Sequence, residues 1–168
     1  MRKFGLYTKK VIEHFKHPHN YGKIKNPDGL GKAGNIVCGD EMWLYIKIGK
    51  NKKGQEIIKD IKFQTYGCLA AIATSSVITD IVKGKTIEQA LSINRQQVVK
   101  KLGGLPPIKL HCSLLAVDAL LEAIHDYLKK SKKPIPEKLK ERHKRIEKEK
   151  KEIEKRYKEW TKIEEKLS

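Results

Sequence analysis

Glu41-Met42-Trp43-Leu44-Tyr45-Ile46-Lys47-Ile48, then Asn51-Lys52-Lys53-Gly54, then Ile57 to Thr65 running into Tyr66-Gly67-Cys68, is the stretch that decides the fold. Met42, Leu44, Ile46 and Ile48 fall on one face of an alternating pattern, and Ile57 to Thr65 behaves similarly; period two is the signature of half-buried strands. The segment between the two runs is turn-like, so two antiparallel strands follow. Leu69 to Val82, rich in Ala, Ile and Val, then predicts a helix that stops at Lys83-Gly84, with Cys68 near its start.

Upstream, Tyr7 to Phe15 carries Thr8 as a cap and Val11, Ile12 and Phe15 as an apolar face, which predicts a short amphipathic helix ending before His17-Pro18. From Pro18 to Gly39 the chain is rich in Gly, Pro, Asn and Asp and reads as one long loop, closed by Cys38-Gly39-Asp40. Downstream, Thr86-Ile87-Glu88-Gln89 and Asn94-Arg95-Gln96-Gln97 both have capping-box spacing and predict two short helices before Gly103-Gly104. A loop, Leu105 to Lys109, leads to His111-Cys112-Ser113, which opens a helix with Val117, Leu120, Leu121, Ile124 and Leu128 in one stripe.

After Pro134-Ile135-Pro136 the composition changes to Glu, Lys and Arg, with Leu139, Ile146, Ile153, Trp160 and Leu167 recurring every seven residues. This predicts a long charged helix. Its seam, joined only by Tyr157 and Ile163, is thin for a coiled coil, so a solvated helix laced by i,i+4 ion pairs competes with one that docks or pairs with a second copy as a homo-oligomer.

A chain of 168 residues supports one core plus an appendage. Neither a signal-peptide pattern nor an apolar run long enough to cross a bilayer is present, so a cytoplasmic protein without a membrane partner is expected. The formal charge of +17 arises from lysines spread through every segment and mixed with glutamates, a composition also found in proteins from hot environments. Aromatic residues are not interleaved with basic ones as stacking platforms would be, so nucleic acid is not the expected partner.

Three cysteines are too few for a disulfide framework and read as thiols or metal ligands. Cys38 sits in a Gly-flanked loop; Cys68 and Cys112 each fall at a predicted helix N-terminus, where unpaired N–H groups and the helix dipole favour a thiolate. Cysteines taken singly are often core hydrophobes. Here all three lie at element boundaries, Asp40 follows Cys38 by two residues, and His111 precedes Cys112. Four or five candidate ligands from three loops, without a Cys-x-x-Cys pair, fit an open, exchangeable site better than a closed zinc module.

Cys38-Gly39-Asp40, Thr65-Tyr66-Gly67-Cys68 and Leu105-Pro106-Pro107-Ile108-Lys109-Leu110-His111-Cys112-Ser113 resemble the three signature segments of IscU-type iron-sulfur scaffolds, also the N-terminal module of NifU. Tyr7 to Tyr21 resembles the family's opening helix, and the likeness spans about residues 6 to 130. It implies an α+β fold, a small antiparallel sheet of about three strands packed with helices, and it divides the chain into a scaffold domain (1–130) and a charged helical extension (131–168). It further implies a scaffold rather than an enzyme: a cysteine desulfurase supplies sulfur, with Cys112 as acceptor, a transient [2Fe-2S] cluster forms on Cys38, Cys68 and Cys112 with Asp40 and His111 as auxiliary ligands, and apo-proteins receive it. Zn2+ in the resting form would suit the same donors. Leu105, Pro106, Pro107, Ile108 and Lys109 resemble the extended segment bound by a DnaK-class chaperone with its co-chaperone.

This chain departs from the family pattern in having Leu69-Ala70 where Gly-Ser is common and Ala116-Val117-Asp118 in place of a more acidic run. The extension has no counterpart in the short scaffolds and lacks the further cysteines of a full NifU. The competing reading of the same residues is a zinc-binding regulator of the desulfurase.

Overall fold

The computed structural model describes residues 5–34 and 39–167. The elements in order are α1 (Lys9–Lys16), β1 (Gly29–Gly34), β2 (Glu41–Lys50), β3 (Glu56–Tyr66), α2 (Leu69–Val82), α3 (Ile87–Leu91), α4 (Arg95–Lys101), α5 (Leu110–Lys130) and α6 (Glu137–Leu167), with one 3-10 turn at Pro107–Lys109. The strands form an antiparallel sheet in the order β1-β2-β3. The alternation read from the sequence sets its register: Leu44 lies opposite Phe63 and Ile46 opposite Ile61, all four fully buried. Between β2 and β3 the Asn51 side-chain oxygen accepts from the N–H groups of Lys53 and Gln55. Gly54, at φ +76, completes the turn where a side chain would be strained.

The expected long loop from Pro18 to Gly39 needs correction, because β1 lies within it. Its inward positions are Gly29, Gly31 and Ala33, paired with Ile46, Leu44 and Met42. A Cβ on Gly31 would stand 1.9 Å from the Ala119 carbonyl oxygen, and one on Gly29 would stand 2.3 Å from that of Ala123. The glycines that read as loop composition are there because the backbones of β1 and α5 nearly touch, a use of strand glycine that propensity alone hides.

The helices follow their local signals. Thr8 accepts from the Val11 N–H and donates to the Leu102 carbonyl at 2.6 Å, tying the start of α1 to the end of α4. Both predicted capping boxes form, Thr86 with Gln89 and Asn94 with Gln97. α2 is buried on most of its circumference, as expected of a helix apolar all round. The hydroxyls of Thr74 and Ser75 donate to the carbonyls of Ala70 and Ala71 one turn back, so they enter the core satisfied. The stripe on α5 is buried as its spacing predicts.

The seven-residue pattern of α6 divides in two. Leu139, Ile146 and Ile153 are buried, whereas Tyr157, Trp160 and Ile163 are exposed. Leu139 and Ile146 belong to the main core. Beside them Asp118 of α5 receives Arg142 at 2.6 Å and Arg145 at 3.2 Å. Glu122 meets His143 at 2.9 Å and Lys150 at 3.7 Å. Burial pushes both carboxyls above their ordinary range despite these cations. The ion pairs therefore set the register of α6, and the three apolar side chains hold it in place. Among the described residues no helix is long and apolar enough to cross a membrane.

Two substitutions test this packing. Gly31→Ala should cost about 3 kcal/mol or more, because backbone on α5 cannot yield to the new methyl. Ile146→Ala should cost about 2–5 kcal/mol by leaving a cavity. Chemical denaturation reads both, and a Gly31→Ala variant as stable as the parent would refute the close approach.

Candidate metal centre

The turn from β3 into α2 and the turn into α5 end side by side. Cys68 is the N-cap residue of α2, and Cys112 is the third residue of α5. Their Sγ atoms lie 3.7 Å apart, and His111 Nε2 is 3.5 Å from Cys112 Sγ. Asp40, just before β2, completes the group: one ligand atom each from Asp40, His111 and Cys112 lie within 4.8 Å of one another. The sequence-predicted ligands Asp40, Cys68, His111 and Cys112 are thus brought together. Cys38 lies outside the described residues, between Gly34 and Gly39.

The charge balance of the site is unusual. Asp40 is only 8% exposed, and its Oδ2 has no hydrogen-bond partner. A buried carboxylate oxygen left without a donor is costly. A bound cation would supply what it lacks. Gly67 makes room for the carboxyl, since a Cβ there would stand 2.8 Å from the Ala71 Cβ and 3.1 Å from the Asp40 carboxyl carbon. The Cys68 thiol is drawn down to about 5, first by the hydrogen bond from Cys112 and further by the N–H groups of Ala71 and Ala70; burial and the Asp40 charge oppose the shift. Of the two thiols, Cys68 is therefore the one that gives up its proton more readily.

Access differs between the two thiols. Cys112 is fully buried, packed with Ala70 and Ala71, whereas Cys68 is partly exposed. Lys109 stands at the opening, its ammonium lifted above the ordinary lysine range, first by the Cys68 charge. The sequence reading placed Lys109 only within an extended segment. Pro107–Lys109 instead coils into a 3-10 turn, and that turn is what directs the lysine back to the thiolate. Within the segment Leu105 is half-buried and Pro106 buried, while Pro107 and Ile108 are exposed.

The extension also reaches this end of the molecule. Ile153 packs where a Cβ on Gly34 would stand, at 2.8 Å, and the Tyr157 hydroxyl lies 3.4 Å from the corresponding point on Gly39. A hollow of about 270 Å3 opens between Gly39 and Ile153, Arg156, Tyr157 and Trp160. Only the tertiary contact reveals this; the heptad spacing showed an apolar seam without saying what it faces.

Soft cysteine sulfurs, an imidazole and a carboxylate with an unpartnered oxygen, gathered at two helix N-termini, make a donor set suited to a metal in an α+β module with an accessible side. The chain belongs to the family of NifU-like N-terminal domains, whose model matches residues 6–134, as the resemblance to IscU-type scaffolds implied. It is 56% identical over 128 residues to the iron-sulfur cluster assembly scaffold protein IscU 1 of Archaeoglobus fulgidus, covering 76% of this chain and 80% of that one. It is 44% identical over 124 residues to the IscU scaffold protein of Aquifex aeolicus, covering 74% and 77%. Among solved structures, a putative SUF-system scaffold from Fervidobacterium islandicum aligns with a TM-score of 0.57 at 23% identity, over 71% of this chain and 96% of that one. A NifU-like N-terminal protein from Brucella abortus aligns at 0.56 and 20%, over 74% and 96%. These two speak to the fold.

In the metal-free protein, alkylation of Cys68 followed by peptide mass spectrometry should rise with pH to half its maximum near pH 5, since the thiolate is the reacting form above its pKa. Cys112→Ala removes the donated hydrogen bond and should move that midpoint upward. A wild-type midpoint near the ordinary thiol value of about 8.5 would contradict the site's electrostatics.

Proposed function

We propose that this protein is a scaffold on which iron and sulfide are built into an iron-sulfur cluster, and from which the cluster passes to apo-proteins. The observation that carries the reading is the 3.7 Å meeting of Cys68 and Cys112 beside a buried Asp40 oxygen that has no donor. Family membership over residues 6–134 supports it. The cluster is cargo, a [2Fe-2S] unit held by Cys38, Cys68 and Cys112. Asp40 and His111 share the remaining position; a hard carboxylate holds iron less firmly than a thiolate, which favours release.

Sulfur comes from a cysteine desulfurase as a persulfide. A scaffold thiolate attacks the outer sulfur, a new S–S bond forms, and the donor leaves as a thiolate. Cys112 is the proposed acceptor; being buried behind Cys68, it receives sulfur when the start of α5 shifts or by relay from the Cys68 thiolate. Two electrons from an external donor then reduce each sulfane sulfur to sulfide. The scaffold turns over no substrate of its own. Pro107 and Ile108, both exposed, form the proposed contact for a DnaK-class chaperone that promotes release.

Anaerobic incubation with ferrous iron, cysteine and catalytic desulfurase should produce visible charge-transfer bands that weaken in Cys38→Ser, Cys68→Ser and Cys112→Ser and disappear on transfer to an apo-ferredoxin. No chromophore, with one tightly held zinc per chain, would replace the scaffold by the zinc-binding reading.

The division into a scaffold domain (1–130) and an extension (131–168) belongs to the same proposal. Deleting residues 137–168 should leave cluster assembly in place and lower the melting temperature as Leu139 and Ile146 leave the core. Loss of assembly in a truncated protein that still folds, judged by circular dichroism, would overturn the division.

A further inference from the structure

A second group of metal-binding side chains lies at the other end of α2. His14 of α1, His19 of the following loop and Asp80 of α2 each present one ligand atom, and the three atoms lie within 4.8 Å of one another. The imidazole rings are 4.7 Å apart between centroids and tilted by 56°. Cys68 and Asp80 are separated by twelve positions, or about 18 Å of helix at 1.5 Å per residue. This group is distinct from the thiolate centre.

We infer that His14, His19 and Asp80 form a second site for a borderline divalent cation of the Zn2+ or Fe2+ class, pinning α1 and its loop to the C-terminal half of α2. Two imidazoles and one carboxylate, with the remaining positions open to water, are a donor set that suits either ion.

The surroundings are built to hold these ligands. His14 Nδ1 is 2.8 Å from Ser76 Oγ; in the tautomer that donates from Nδ1 to that oxygen, Nε2 is the nitrogen left to ligate, the usual support behind a ligating histidine. Ser76 Oγ also accepts the backbone N–H of His19 at 2.8 Å. Asn20, at φ 57, donates from its side chain to Thr79 Oγ1 at 2.9 Å. Ser76 and Asp80, four residues apart, lie on one face of α2, so a single helix face supplies both a ligand and a ligand's support.

His19 Nδ1 and Asp80 Oδ2 lie 2.6 Å apart. Around tetrahedral zinc, neighbouring ligand atoms stand about 3.3 Å apart, given metal-ligand distances of about 2.0 Å. The opening required is about 0.7 Å, within reach of side chains that are 52% and 34% exposed. The contrast with Glu122, His143 and Glu147, also grouped within ligand distance, is instructive. There Lys150 stands 2.7 Å from Glu147 and 3.7 Å from Glu122, so an ammonium already fills the place of a metal.

The full-length apo-protein, titrated anaerobically with Zn2+ against a chromophoric chelator, should bind two equivalents. His19→Ala and the triple variant Cys38→Ser/Cys68→Ser/Cys112→Ser should each retain one, and Asp80→Asn should weaken the second site about tenfold or more. Co2+ bound to the triple variant should show ligand-field bands without thiolate charge transfer, and Zn2+ should raise the melting temperature of the triple variant but not of the same protein carrying His19→Ala as well. The inference is overturned if His19→Ala binds metal as the wild type does, or if the triple variant binds none. His19 is exposed, so its substitution leaves the fold intact, and Asp80→Asn gives an independent reading.

Discussion

Cys68 and Cys112 meet only because α2 and α5 run side by side with their N-termini at the same end of the molecule. Each N-terminus carries N–H groups without partners inside the helix, and together they favour negative charge at one place. Holding that arrangement requires α5 to lie flat on the sheet. The flatness depends in turn on β1, whose Gly29 and Gly31 let the strand backbone reach within contact of Ala119 and Ala123. The chemistry at one end thus depends on the absence of two side chains near the middle.

The same economy appears at Gly67, which leaves space for the Asp40 carboxyl. Asp40 sits where its charge opposes thiolate formation on Cys68, while hydrogen bonds from Cys112 and the start of α2 outweigh it. An apo-site with two anionic groups and one unsatisfied oxygen is electrostatically uneven, and binding a cation relieves it. On the proposed scaffold reading, a centre that gains from loading yet keeps Asp40 as one weak, hard ligand suits cargo that must leave again.

α6 answers the departure from family pattern at Asp118. Arg142 and Arg145 converge on that carboxylate, while His143 and Lys150 converge on Glu122 one turn later. Burial outweighs these cations for both acids. Such pairs define where the helix lies more than how firmly it is held. That position sets Ile153 and Tyr157 beside Gly34 and Gly39, the described ends of the segment that carries Cys38.

Local order was legible from the sequence because its causes are local. Alternation gave the antiparallel β2–β3 pair and its apolar face, Thr86 and Asn94 announced their capping boxes, and Cys68 and Cys112 fell at element boundaries. β1 was not legible, since three glycines in six residues read as loop until α5 is seen lying against them. The coil of Pro107–Lys109 and the turning of Lys109 toward Cys68 were hidden for the same reason, as was the partition of α6 into a docked and an exposed half. By itself the sequence determined most of the helices, the β2–β3 pair, their caps and where the candidate ligands fall along the chain, because hydrophobic period and end-capping act over a few residues. Only the tertiary structure decided which backbones touch, which carboxylate lacks a donor and which thiol is reached by solvent, because those depend on groups that burial brings together from distant parts of the chain.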